Sequence, residues 1–336
     1  MPPVVHITAD SEIPLIGCIA FGLIDRGTNV IQVRPTSICT LSCIFCSTDA
    51  GPKTTRRQVE YVVEREYLVE CFRELAAFKR RKDLEAHIDT VGDPLTYREI
   101  VELVQDLAQV SEVKVVSMQT HGHLLTERLA EELGEVGLER INLSIDATDP
   151  ELARVLAGEP SYDVRRVMGV AEYIAGLPRP DVTLAPIWIP GLNDEEIPKI
   201  IEFALRIGAG KRWPPLGIQK YLRHKHGRKP RGIKPIPWYK FYKQLRIWEK
   251  KYGVRLILTP EDFGTHRARI LPLVFRRNEV VRLKVVERGW LKGELLGVAR
   301  GRVVTVVRAP REVLGKTVKV RITHRKHNLY IAQYIP

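Results

Sequence analysis

Three thiols fall within eight positions of this 336-residue chain: Cys39, Cys43 and Cys46, with three and then two residues between them. Thiolates are soft ligands suited to an iron–sulfur cluster or to zinc, and three of them leave one metal position open. Zinc calls for a fourth Cys or His nearby, and neither occurs between Cys46 and Cys71. Five cysteines in all, three of them clustered, do not form a disulfide framework. The spacing therefore points to a metal centre, with an iron–sulfur cluster favoured over zinc.

The elements that must position these thiols follow from hydrophobic periodicity. Residues 30–35 read as a short apolar strand running straight into the cysteine loop. Apolar residues at helical spacing predict a helix over 59–81, and 86–91 predict a strand ending at Gly92-Asp93-Pro94. The alternation then repeats, with helices at 97–110, 125–133, 164–175 and 195–206 and strands at 113–118, 141–144, 182–188 and 216–220. Strand and helix in turn, joined by short loops, give an α/β fold with a parallel sheet, here a partial (β/α)6 TIM-like barrel with helices outside. Residues 221–237 are basic and rich in Gly and Pro, hence a loop or insertion. A basic, aromatic helix is predicted over 238–252, whose Trp238, Tyr239, Phe241, Tyr242 and Trp248 either stack on bases or, more commonly, pack against the domain. From Arg282 the period becomes 2 between Gly and Pro turns, which predicts a small all-β barrel of about 55 residues. The expected organisation is a catalytic barrel with an N-terminal extension over 1–220, a basic aromatic insertion and helix over 221–281, and the small barrel over 282–336.

With these elements in place, the cysteine loop directly after a first barrel strand, with Phe45 before the third Cys, resembles the radical S-adenosylmethionine (SAM) superfamily. The resemblance implies that Cys39, Cys43 and Cys46 hold a [4Fe–4S] cluster whose open iron chelates the methionine end of SAM. Electron transfer from a donor such as ferredoxin or flavodoxin then cleaves SAM to methionine and a 5′-deoxyadenosyl radical that abstracts hydrogen from the substrate. Thr90-Val91-Gly92-Asp93-Pro94 stands where the family has Gly-Gly-Glu-Pro, which implies that Gly92 and Asp93 meet the methionine ammonium, although Val and Asp replace the first Gly and the Glu. Gln119-Thr120-His121-Gly122 resembles the segment after the third strand. Ser144 and Asp146 match the fourth-strand residues that touch the ribose or carboxylate, and Ile187, Ile218 and Gln219 match positions that flank adenine. His121 and His123 read equally as a site pair and as a polar loop. Some radical SAM methylases use two further cysteines, but Cys18 and Cys71 lie in no motif and read as buried apolar residues.

Charge bears on the substrate. Residues 1–210 hold 21 Lys and Arg against 33 Asp and Glu, residues 211–251 hold 14 against 1, and residues 276–326 hold 15 against 4. An ion-paired surface would intersperse both signs, whereas clustered cations are the electrostatic footprint of a polyanion binder. Residues 293–332 resemble a TRAM domain, an OB-like barrel, which implies RNA, with tRNA preferred, as partner. The expected contacts are Arg223, Lys225, Arg228, Lys229 and Arg231 in the insertion, and Arg300, Arg302, Arg321, Arg325 and Lys326 in the tail. TRAM domains recur in methylthiotransferases, but this chain lacks the three further cysteines of their auxiliary cluster. Methylation or other C–H functionalisation of a nucleoside remains. The alternatives are radical modification of a protein or peptide, and a non-catalytic iron–sulfur sensor that binds RNA. The apolar run 13–23 is too short to span a bilayer, and neither a basic leader nor a small-residue cleavage site accompanies it, so a cytoplasmic enzyme without a membrane partner is expected.

Overall fold

The computed structural model describes residues 2–336. Strand β1 (Val4–Ile7) and strand β4 (Glu60–Val63) pair in parallel as a separate two-stranded ribbon; β2 (Gly22–Asp25) and β3 (Val30–Arg34) lie between them in sequence. The helix predicted from residue 59 therefore begins only at α1 (Arg65–Lys79). Its first turn was misread because Val59-Glu60-Tyr61-Val62-Val63 is β-branched and aromatic, a composition that suits a paired strand.

The central sheet continues with β5 (Leu84–Ile88), α2 (Ile100–Ala108), β6 (Val113–Thr120), α3 (Glu127–Glu135), β7 (Leu138–Leu143), α4 (Pro150–Ala157), α5 (Val164–Gly176) and β8 (Asp181–Leu184). Six strands lie in the order β2-β3-β5-β6-β7-β8, with β2 antiparallel to β3 and every later pair parallel. The strand predicted over 182–188 is broken at Pro186, which lacks the N–H a continuous ladder needs, and resumes as β9 (Ile187–Trp188). After α6 (Glu196–Arg206), β10 (Gln219–Lys220) pairs in parallel with β9, and a bridge between Leu184 and Leu216 links this ribbon to β8. The result is a partial barrel whose parallel strands all end on one rim, the end of such a barrel that gathers functional groups.

Helix α4 was not predicted. Asp149 caps it by accepting from the Leu152 N–H at 2.8 Å, and Pro150 stands in its first turn. Its last carbonyls, on Leu156 and Ala157, accept from the N–H groups of Ile44 and Ser42, so the helix C-terminus closes one side of the cysteine loop.

Helix α7 (Trp238–Tyr252) leads to a closed five-stranded barrel of β11 (Val280–Arg288), β12 (Glu294–Ala299), β13 (Arg302–Val307), β14 (Thr317–His324) and β15 (Ile331–Ile335), in the order β11-β12-β13-β15-β14. The β13–β15 pair is parallel and the others are antiparallel. This barrel has its own core, including Phe275, Val285, Val304 and Tyr330, yet it is stitched to the larger barrel. Trp290, Leu291, Leu296 and Val303 join the main core. The Gln58 amide donates to the carbonyls of Gly289, Leu291 and Glu294, and the Tyr61 hydroxyl donates to the Arg288 carbonyl at 2.7 Å. Gly17 lies so close that a Cβ there would stand 2.0 Å from the Val303 carbonyl oxygen. Among the described residues, no helix is long and apolar enough to cross a membrane.

Because the smaller barrel shares the main core, the full chain should unfold in a single thermal transition. Leu296→Ala, at a fully buried shared position, should cost about 2–5 kcal/mol and shift that transition as a whole. Two separate transitions, with only one of them shifted, would show instead that the small barrel folds independently.

Candidate active site

Cys39, Cys43 and Cys46 are free thiols on the loop after β3 and line a cavity of about 280 Å3 at the barrel rim. The loop is held from all sides. Cys46 donates its N–H to the Cys43 carbonyl, and the Arg228 N–H donates to the Cys46 carbonyl at 2.8 Å. The Arg228 guanidinium donates to the Cys43 carbonyl at 2.7 Å and pairs with Asp49 at 2.9 Å. Behind the loop lies the buried Arg57. It donates to the Ser37 carbonyl at 2.7 Å, to the Thr48 hydroxyl and carbonyl at 3.1 Å and to the Val91 carbonyl, and pairs with Glu60 at 2.9 Å.

The segment after β5 crosses this loop at Gly92. A Cβ there would stand 2.0 Å from the Ile38 carbonyl oxygen and 2.4 Å from that of Ser37, so only glycine permits the approach. The next residue, Asp93, is buried and accepts from the Thr120 hydroxyl at 2.9 Å, the His121 N–H at 3.0 Å and the Leu95 N–H at 3.0 Å. Each carboxylate oxygen thus takes two of these contacts, and the fixed side chain lines the cavity. Gln119, Ser144, Ile187 and Gln219 complete the wall from the ends of β6, β7, β9 and β10.

Burial pushes the Cys39 thiol up to about 12, with the Asp93 charge adding, and raises Cys43 well above the usual thiol range, with Cys39 and Cys46 adding. Crowded buried thiols ionise when a positive centre displaces their protons, as metal binding does.

The sequence profile of the Radical SAM superfamily matches residues 33–204, just over half of the chain and inclusive of the cysteine loop and the strand ends through Ile187. The chain belongs to the radical SAM superfamily. It is 41% identical, over 98% of its length, to an uncharacterized protein of Methanocaldococcus jannaschii, of which it covers 80%. A probable GTP 3′,8-cyclase of Methanosarcina mazei is 31% identical over 53% of this chain and 51% of that protein, so the chain spans about half the length of the cyclase relative it matches. Streptococcus suis SuiB bound to S-adenosylmethionine shares the fold with a TM-score of 0.50 at 16% identity, over 71% of this chain and 50% of SuiB.

Radical SAM enzymes use a [4Fe–4S] cluster and SAM, and the residues present fit both. Among the described residues, no three Cys, His, Asp or Glu side chains converge on one metal-ion position. Three soft thiolates on one short loop, with no Cys or His between Cys46 and Cys71, suit a cubane that keeps one iron open.

Of the SAM contacts expected from the radical SAM resemblance, Gly92, Asp93, Gln119, Ser144, Ile187 and Gln219 line the cavity with the thiols. Two expectations need correction. Asp146 sits behind the wall, where it accepts from the Ile187 N–H at 2.8 Å and lies 3.9 Å from His121; burial raises its carboxyl, opposed by His121. It positions β9. Ile218 is buried in the main core just before β10, off the cavity that Gln219 lines. His121 lines the cavity, whereas His123 packs beside Tyr162 with ring centroids 5.9 Å apart. Cys18 is buried, its thiol pushed up to about 12 by burial, and Cys71 is half-buried on α1.

Among the expected RNA contacts, Arg228 is the clear correction, since its guanidinium is occupied by the cysteine loop. Arg300 is tied to Glu279 and the Val274 carbonyl, and Arg302 and Arg325 are half-buried. Arg223, Lys225, Lys229, Arg231, Arg321 and Lys326 are exposed. Phe241 and Trp248 pack on Trp188 rather than facing solvent, while Trp238, Tyr239 and Tyr242 are exposed. Arg57 and Thr48 escaped sequence reasoning because nothing local separates Arg57 from the exposed cations Lys53 and Arg56 beside it.

Gly92→Ala should place a methyl against the Ile38 carbonyl at a strain of about 1–3 kcal/mol. Iron and sulfide per chain after anaerobic reconstitution should then fall clearly below the parent's. Gly176→Ala, whose Cβ would meet nothing within 4 Å, serves as the control. Equal loading of the two variants would mean that the Gly92 crossing does not support the loop.

Proposed function

We propose that this radical SAM enzyme modifies a nucleoside in structured RNA, tRNA being the preferred class, by methylation or another C–H functionalisation. The observation that carries the reading is the position of the basic segment 221–231. Arg228 and Gly227 pack on the cysteine loop and Tyr221, Leu222 and His224 line the cavity, while Arg223, Lys225, Lys229 and Arg231 of the same segment stand exposed. Clustered exposed cations suit a phosphate backbone, and exposed Trp238, Tyr239 and Tyr242 on α7 offer stacking faces.

The strand order β11-β12-β13-β15-β14 is that expected of an OB-like barrel, the class to which a TRAM domain belongs and one that commonly binds oligonucleotides. Its exposed Arg321 and Lys326 extend the basic surface. The name of the cyclase relative specifies a guanine nucleotide as that protein's substrate, which is consistent with nucleoside chemistry on this core.

In this reading Cys39, Cys43 and Cys46 hold the cluster, and Asp93 with the backbone at Gly92 orients the amino end of SAM. Ser144 and Gln119 contact its polar groups, and Ile187 with Gln219 flanks the adenine. The cofactor pair, reduced by ferredoxin or flavodoxin, supplies the 5′-deoxyadenosyl radical. The protein contributes binding, orientation and exclusion of water.

The test is anaerobic loading of the cluster, reduction with dithionite in the presence of SAM, and chromatography for 5′-deoxyadenosine with and without unfractionated tRNA. Formation should be stimulated by tRNA. Replacing Lys225, Lys229 and Arg231 by Ala should reduce the slope of log affinity for tRNA against log salt by about 2–3. SAM cleavage indifferent to tRNA, with no salt-dependent binding, would sink the RNA reading in favour of a protein substrate. No cleavage from a fully loaded cluster would favour a sensor.

A further inference from the structure

We infer that a second cavity, walled by the small C-terminal barrel, is the chamber that receives the flipped nucleoside; this rests on the RNA reading above. The cavity, of about 590 Å3, lies against the first and shares Ser47, Thr48, Asp89, Thr90, Val91 and His224 with it. Ser47 and Thr48 directly follow Cys46, so the chamber adjoins the cysteine loop. Its volume falls within the range of sites that bury a small organic molecule.

The chamber does not belong to the catalytic barrel alone. Trp290, Leu291, Thr305, His324, Tyr330 and Ile331 face it from the C-terminal side, and Cys18, Ile19 and Arg34 from the other. Two donors within this lining have no partner: Nε of Arg34 and the indole Nε1 of Trp290. Both residues are more than nine-tenths buried, at 6% and 7% exposure. Both atoms are closed to solvent, so they lie behind the chamber surface, and the two residues serve it as walls. Both are also fixed in place. Arg34 pairs with Asp89 at 3.0 Å, and the Arg57 guanidinium lies 4.6 Å from the Trp290 ring centroid.

The Asp89 carboxylate and the Thr305 hydroxyl among its lining residues, with flat apolar walls from Trp290, Leu291 and Ile331, match a nucleobase, whose edge carries both acceptors and donors and whose faces are apolar. Charge selects the polymer over a free base. His224, Lys225, His226 and His324 stand around the opening, with exposed Arg223 and Lys326 next to this set in sequence, where phosphates on either side of an extruded nucleotide would lie. An enzyme that acts on a base must take it out of its stack into a pocket of this kind. The small barrel therefore has two tasks, holding the RNA backbone with its outer cations and forming one wall of the substrate chamber.

Ile331→Trp fills the chamber from an exposed position at 38% exposure, and Trp290→Phe trims its aromatic wall while keeping a ring over Arg57. With unfractionated tRNA as the probe, Ile331→Trp should cut tRNA-stimulated 5′-deoxyadenosine formation by about a hundredfold, and Trp290→Phe should raise the tRNA concentration needed for half-stimulation. Both should retain the parent's tRNA affinity in a mobility-shift assay, since the exposed cations are untouched, and Ile331→Trp should retain the parent's melting temperature. Undiminished stimulation of Ile331→Trp would overturn the chamber while leaving the RNA reading standing. Loss of tRNA affinity in step with stimulation would overturn it too, by making this surface a docking face. If the parent itself binds no tRNA and shows no stimulation, the RNA reading fails first, and the chamber falls with it.

Discussion

Arg57 organises much of what surrounds it. Its guanidinium is fully buried, and within hydrogen-bond reach it holds the strand exit at Ser37, the cysteine loop at Thr48 and the β5 exit at Val91, with the Glu60 carboxylate balancing its charge. The opposite face of the same group lies over Trp290 of the small barrel. A buried ion pair of this sort is weak support for net stability, because desolvation offsets much of the attraction, but deleting one partner leaves an unpaired charge in the interior. Its contribution is geometric. A planar group with five donors ties three backbone segments and an aromatic ring into one arrangement that a lysine's point charge would not specify.

That arrangement explains why the rim residues gather where they do. Gly92 lets the β5 exit cross the segment before Cys39 at van der Waals limits, and Asp93 then reaches the end of β6 through Thr120 and His121. Asp146 performs the equivalent task two strands further on by receiving the Ile187 N–H. Carboxylates alternate between facing the cavity and holding its wall, and the resemblance to a family motif does not by itself say which. Asp93 does both.

Much of this was legible in the sequence, for identifiable reasons. The thiol spacing and the strand-then-helix alternation are local signals, and they located the cysteine loop, the parallel strands and the rim positions Gly92, Asp93, Gln119, Ser144, Ile187 and Gln219. What escaped depends on contacts between distant segments. Residues 60–63 form a strand because Val4–Ile7 pairs with them. Arg228 reads as one more cation in a basic run, yet its side chain lies against Cys43 and Asp49. Charge counting assigns a sign to a segment without saying which cations turn inward. The tail was read as a separate module since its period-2 pattern says nothing of Gln58, Tyr61 and Gly17, which dock it.

The contact between Arg228 and the Cys43 carbonyl joins residues 185 positions apart. During synthesis at about 5–20 residues per second, roughly 10–40 s pass between the emergence of the cysteine loop and that of the arginine that closes it. Throughout that interval the three thiols sit on a loop whose outer strap has not yet been made. Gly227, whose missing Cβ would stand 2.6 Å from the Cys46 carbonyl oxygen, then lays the strap down tightly. The nascent chain thus has a period in which iron and sulfide meet an open loop, and oxygen meets the same thiols, before the last third of the protein seals them in.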